Sequence, residues 1–203
     1  MDTTPFSPEV IRMTRSDRHP ALLRSEDTVL MVVDMQEPFL RHIWSGGRLL
    51  DNVNKLLDTA RILRVPVVPT LQNMKQMGGV IPDVASRLPA QCIPFDKMCF
   101  SCQGDTVISG ELARAGRKQV ILCGVETHIC ILQTALDLVA QGYQVHVVAD
   151  AVSSRSQSDW ELGLRKMERL GVAVASTEMA MYELVGEAGT PEFREILKLV
   201  KAA

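Results

Sequence analysis

Thr28-Val29-Leu30-Met31-Val32-Val33-Asp34 is an unbroken apolar run that ends in an acid, the pattern of a strand buried on both faces. Such a strand needs helices above and below it, so the flanking sequence should supply them. Leu49, Leu50, Val53, Leu56, Leu57, Ala60 and Leu63 recur at helical spacing up to Arg64. Pro66 stops that helix, and Val67 to Leu71 reads as a second strand. Asp105 suits the cap of a helix reaching about Ala115, with Gly116 as its stop. Val120 to Gly124 is another buried strand, followed by a helix from about Thr127 to Ala140 and a stop at Gly142. Val145 to Ala149 is the next strand; Ser158 and Glu161 suit a capping box for a helix running to Leu170. Val172 to Val174 gives a last short strand, and Thr190-Pro191 opens a C-terminal helix. Strands alternating with helices imply parallel βαβ units and a three-layer α/β/α sandwich.

The chain has 203 residues, a length that fits one large domain. Residues 1–26 are polar and proline-bearing and read as an N-terminal arm; residues 27–203 read as a single domain. A domain of that size needs neither disulfide nor structural metal to fold. The net charge of −2, with both signs interspersed, offers no attraction to nucleic acid or to an anionic membrane. A small-molecule substrate, neutral or modestly charged, is the expected partner. No apolar run is long enough to span a bilayer, and Met1 to Pro5 lacks the basic-then-apolar pattern of a signal peptide. Five cysteines, an odd number without a paired framework, suit free thiols in a reducing compartment. The expected location is the cytoplasm.

In parallel α/β sheets the reactive site lies beyond the carboxyl ends of the strands. That rule selects Asp34, the irregular segment around Lys97, and the turn from Gly124 into the helix that carries Cys130. A thiol attacks as its thiolate, which a helix start or a nearby cation favours. Cys130 lies in the first turn of its expected helix, and Lys97 would supply the cation. Helix-start N–H groups near Ile129 and Cys130 can bind an oxyanion, and a buried Asp34 can shuttle the thiol proton. Plainer readings compete: a strand-end acid is often a cap or a metal ligand, and a loop lysine is usually solvated. Cys92, Cys99, Cys102 and Cys123 read as small buried hydrophobes. Cys99-x-x-Cys102 has the spacing of a redox pair but does not open a helix after a strand, and Cys92, Cys99 and Cys102 lack a fourth zinc ligand nearby.

Val33-Asp34-Met35-Gln36, Lys97-Met98-Cys99-Phe100-Ser101 and Cys123-Gly124-Val125-Glu126-Thr127-His128-Ile129-Cys130 resemble the three signature segments of the isochorismatase-like cysteine hydrolases. Gln144 to Ala151 and Ser153 to Gln157 are similar to the small isochorismatase domain-containing members. The resemblance implies a six-stranded, mostly parallel, Rossmann-like sheet and an Asp34–Lys97–Cys130 triad. It also implies a cis peptide at Val125-Glu126 that shapes the oxyanion region with Ile129. Pocket walls would come from Phe39, Trp44, Gln72, Asn73, Phe100 and His128. Nicotinamidases of the family hold a metal through an Asp-x-His pair and a further histidine; here only His42 lies between Asp34 and Lys97, so no metal is expected. No cofactor is implied. True isochorismatases lack the nucleophilic cysteine, so Cys130 favours hydrolysis of an amide, carbamoyl or ureido C–N bond through a thioester. The alternative is a fold kept for binding or assembly with little turnover. Family members form dimers, tetramers or larger rings, which implies a homo-oligomer. Met179, Met181, Leu184, Ile196, Leu197 and Val200 would serve an interface or the core.

Overall fold

A computed structural model describes residues 18–201. Most of the expected arm, residues 1–17, therefore lies outside the described residues. Its remainder is tied down: Leu23 is fully buried, its N–H donates to Glu183 Oε2 at 3.0 Å, and the Arg24 N–H donates to Gln119 Oε1 at 2.8 Å.

In chain order the elements are β1 (Thr28–Val33), α1 (Glu37–Leu40), α2 (Gly46–Leu63), β2 (Val67–Gln72), α3 (Met74–Met77), α4 (Pro82–Ala85) and β3 (Phe95–Lys97). After a 3-10 turn (Cys102–Gly104) come α5 (Thr106–Arg114), β4 (Gln119–Val125), one π-helical turn (Thr127–Ile131) and α6 (Leu132–Ala140). The chain ends with β5 (Gln144–Ser153), α7 (Gln157–Arg169), β6 (Ala173–Ala175), α8 (Thr177–Val185) and α9 (Pro191–Lys201). The six strands form one parallel sheet in the order β3-β2-β1-β4-β5-β6.

All six residues of β1 are buried, and their side chains alternate between two cores. Leu30 and Val32 join Leu49, Val53, Leu56 and Leu57 of α2. Val29, Met31 and Val33 join Ile108 of α5, Leu138 of α6 and Met167 of α7. Each such side chain contributes about 1.5–3 kcal/mol through removal from water, which makes β1 the spine of the domain. Of the C-terminal apolar residues, Met181, Leu184 and Ile196 are core, whereas Met179 is half-exposed.

Several local expectations need correction. The cap of α7 is Ser156, whose hydroxyl accepts from the Asp159 N–H at 3.1 Å, rather than Ser158. The expected helix from Thr127 begins as a π turn and becomes α-helical only at Leu132. The segment taken as irregular contains β3, whose three residues Phe-Asp-Lys carry no apolar run to announce it. Asp105 does cap α5, accepting from the Val107 and Ile108 N–H groups at 2.9 and 3.1 Å.

The strand order reverses between β1 and β4, the place where an open α/β sheet leaves a crevice. Gly124 decides how close these two strands come. Its φ is +109°, and a Cβ there would lie 2.1 Å from the Val33 carbonyl oxygen. Only glycine allows the approach.

Candidate active site

Three strand ends deliver the site. Asp34 follows β1 with a left-handed φ of +54°, a conformation that few residues other than glycine adopt and that aspartate tolerates better than most. Thr70 of β2 holds it there: the Asp34 N–H donates to the Thr70 carbonyl at 3.2 Å, and the Thr70 hydroxyl donates to Asp34 Oδ1 at 2.8 Å. Lys97 ends β3, and its side chain is fully buried. Its Nζ donates to Asp34 Oδ2 at 2.8 Å and to Gln72 Oε1 at 2.7 Å, and approaches Cys130 Sγ at 3.8 Å. The Cys99 and Phe100 carbonyls, at 3.3 and 3.4 Å, complete the ammonium's surroundings.

Gln72 is held in turn by Gln36. The Gln36 Oε1 accepts from the Gln72 N–H at 2.8 Å, and its Nε2 donates to the Gln72 and Gly78 carbonyls at 3.2 and 2.7 Å. Gln36 and Thr70 are thus supports of the site that the sequence did not single out, although Gln36 stands in the first motif segment. Both are fully buried polar residues, and burial is what the sequence conceals.

The thiol's electrostatics run against one expectation. Burial pushes the Cys130 pKa well up, the Asp34 charge and its hydrogen bond add to this, and Lys97 opposes it only in part. The balance of these influences favours the thiol over the thiolate expected from a nearby cation. Burial also pulls the Lys97 amine down, but Asp34 first and then the Cys130 and Cys102 sulfurs more than offset this, so its pKa is raised. Cys102, buried behind the triad, is pushed up to about 11, chiefly by burial.

Asp34, Gln72, Cys130, Phe39, Phe100, Val125, Glu126 and Ile129 line one cavity of about 210 Å³, with Arg155 beside them. The peptide bond between Val125 and Glu126 is cis. Ile129's own N–H is spent on the Glu126 carbonyl at 3.1 Å, so it is not a donor aimed at the cavity. Glu126 accepts from the Arg155 backbone N–H at 2.9 Å, from Nε at 3.1 Å and from Nη2 at 2.6 Å. Burial alone would raise the Glu126 carboxyl; the bonds from Arg155 outweigh it and hold the pKa below its ordinary value. Phe39, Glu126 and Arg155 also border a second recess with Pro38 and His42.

Three residues expected in the pocket wall do not line this cavity. Trp44 packs on Trp160, ring centroids 5.1 Å apart, under the Arg48 guanidinium. His128 Nδ1 lies 2.9 Å from Ser154 Oγ, and its backbone is pressed against Gly163 of α7, where a Cβ would come within 3.3 Å. Asn73 turns the chain out of β2 with φ +47°, and its N–H donates to the Lys97 carbonyl at 3.0 Å. Arg155 is the wall residue that the sequence did not nominate; an arginine in a serine-rich loop carries no mark of its position.

Among the described residues, no group of three histidine, cysteine or acidic side chains is arranged to hold a metal ion. No described helix is long and apolar enough to cross a membrane.

Comparison with known proteins places this arrangement. Residues 28–179 match the isochorismatase domain. Isochorismatase domain-containing protein 2 of Bos taurus is 43% identical over 176 residues, covering 86% of this chain and 83% of its own. The structure of MAR1 ribonuclease from Caenorhabditis elegans superimposes with a TM-score of 0.84 at 35% identity, over 89% of this chain and 92% of that one. The YcaC gene product of Escherichia coli, an octameric hydrolase of unknown specificity, shares the fold with a TM-score of 0.79 at 19% identity, over 91% and 98% of the two chains. The motif segments at the ends of β1, β3 and β4, the six-stranded parallel sheet and these relatives agree: the chain belongs to the isochorismatase family of hydrolases.

Proposed function

We propose that the protein is a metal-independent cysteine hydrolase that cleaves the C–N bond of a small amide, carbamoyl or ureido compound through a thioester on Cys130. One observation carries the reading: Lys97 Nζ bridges Asp34 Oδ2 at 2.8 Å and Cys130 Sγ at 3.8 Å beside a small cavity. Asp34 takes the thiol proton as Sγ bonds to the substrate carbonyl carbon. The raised thiol pKa makes that transfer part of the reaction rather than a condition met beforehand. The Cys130 N–H receives the oxyanion, and Lys97 balances the negative charge shared among Asp34, sulfur and substrate. The C–N bond breaks as the amine leaves with the proton held by Asp34. Water then adds to the thioester, giving its proton to Asp34, and the sulfur takes that proton back as it departs and the acid product forms.

Among the described residues both cations at the cavity are paired with carboxylates, which favours a small amide-type substrate over a phosphodiester. A homo-oligomer is proposed from the family alone. The rival reading is binding or assembly without turnover. Ammonia release from a panel of primary amides, carbamoyl compounds and ureides separates the two. Cys130→Ala should abolish release while leaving the melting curve in place; full activity in that variant would sink the mechanism.

A further inference from the structure

The cavity's charges come in closed pairs, and this bears on what it admits. Asp34 is bonded to Lys97, and Glu126 is bonded to Arg155 through two side-chain nitrogens and a backbone N–H. Among the described residues, each cation at the cavity already faces a carboxylate. Besides the Cys130 thiol and the Gln72 side chain, whose amide is already bonded to Lys97 and to the Met98 carbonyl, the remaining wall is Phe39, Phe100, Val125 and Ile129. A substrate carboxylate entering here would lose water and meet only cations whose charge a carboxylate already balances, the partly exposed Arg155 among them, while facing two carboxylates of its own sign. An apolar group would lose nothing by entering.

We infer that the cavity selects small, uncharged amides with a short apolar acyl group and turns away amides that carry a carboxylate. The inference rests on Cys130 being the nucleophile of the proposed reaction. Size bears on length: at about 30 Å³ for each water-sized group, a cavity of about 210 Å³ holds about seven such groups, beyond which a chain must extend toward solvent past Phe39, Glu126 and Arg155. Pentanamide has that many heavy atoms; octanamide exceeds it. The wall's apolar character sets the slope, about fourfold in kcat/KM for each methylene that is buried.

Two measurements on the intact protein test this, one of them independent of turnover. In the first, iodoacetamide and iodoacetate are compared at Cys130 by peptide mass, each rate taken relative to a free small thiol. Alkylation forms the S–C bond and expels iodide, so it reads access and charge without any hydrolysis. The neutral reagent should be favoured at least tenfold. Equal rates, or a preference for iodoacetate, overturn the inference. Glu126→Gln leaves the Arg155 guanidinium without its carboxylate and should narrow the ratio by about tenfold; should that variant fail to fold, the ratio in the unaltered protein still decides. In the second, kcat/KM is followed from acetamide to octanamide, and succinamate is set against isocaproamide, whose isopropyl group matches the carboxylate in shape. A rise to pentanamide, a fall at octanamide and at least tenfold rejection of succinamate are expected. Succinamate turned over as well as isocaproamide overturns the selection. If none of the amides, carbamoyl compounds and ureides is hydrolysed yet Cys130 still prefers iodoacetamide, the hydrolase reading fails and the cavity's selectivity stands as a binding preference. Cys130 inert to both reagents overturns both.

Discussion

Two carboxylate–cation pairs flank the cavity, and they are built in opposite ways. Asp34 and Lys97 are both sealed from solvent, at 1% and 0% side-chain exposure, and each is held by further partners from β2. Glu126 is buried at 7%, but Arg155 is 63% exposed and reaches it from the loop after β5. A sealed pair stands or falls as a unit, since removing one member strands the other in a low-dielectric interior. A half-exposed pair lets water replace the missing partner. In the proposed reaction, the difference separates a pair that organises the thiol's chemistry from one that closes the cavity's charge balance.

The largest effect should come from opening the sealed pair. Lys97→Met should cost about 3–5 kcal/mol of stability, read from urea unfolding, together with a loss of turnover of about 100-fold or more. Adding Asp34→Asn to it should restore most of the stability and none of the turnover. A Lys97→Met protein as stable as the original would show that the pair is not sealed in solution.

Thr70→Val tests the support beneath that pair. It removes the hydroxyl donor to Asp34 Oδ1, a bond to a charged group worth about 1.5–3 kcal/mol. Turnover should fall about tenfold, with unfolding shifted by a comparable free energy. An unchanged rate would separate Asp34's position from its role.

Arg155→Ala should be milder, at about 1 kcal/mol or less in stability, with KM moving more than kcat. Destabilisation as large as that of Lys97→Met would erase the contrast between the pairs.

The smallest effect concerns a buried ionisable group that has no such pair. His146 on β5 is 3% exposed, and its Nε2 has no hydrogen-bond partner. Burial lowers its pKa below the ordinary 6.5, with Glu183 opposing in part. The unfolded chain therefore takes up this proton first. The contribution to stability is complete above pH 6.5 and is lost as the pH falls from there through the depressed folded value. His146→Phe should flatten the fall of the melting temperature on that acid side; an identical slope would assign the fall to other groups.

What could be read in advance follows from the kind of signal each element carries. β1 and β4 declare themselves because burial on both faces demands unbroken apolar runs. Asp34 and Cys130 were reachable because reactive groups in such sheets gather at strand ends, whereas Lys97 stood in an apparently irregular segment and was linked to them by the family resemblance. β3 was hidden, since three residues on the sheet edge need no apolar pattern. Trp44 and His128 misled for a different reason. An aromatic ring beside a motif has the chemistry of a pocket wall whichever way it points, and here one packs on Trp160 while the other bonds Ser154. Arg155 stood in a segment that resembles the family, yet nothing named it a wall residue, because an arginine in a loop reads as solvated until its carboxylate is known.

By itself, then, the sequence determined the layered α/β architecture and nominated an acid, an amine and a thiol, because hydrophobic periodicity and strand-end chemistry are local. Tertiary structure decided which charges pair and how deeply Cys130 is buried, and that burial favours the protonated sulfur. It also decided which side chains wall the cavity. Those outcomes depend on distances between segments far apart in the chain, such as the 63 residues from Asp34 to Lys97, and on desolvation. Neither is written in the residues one at a time.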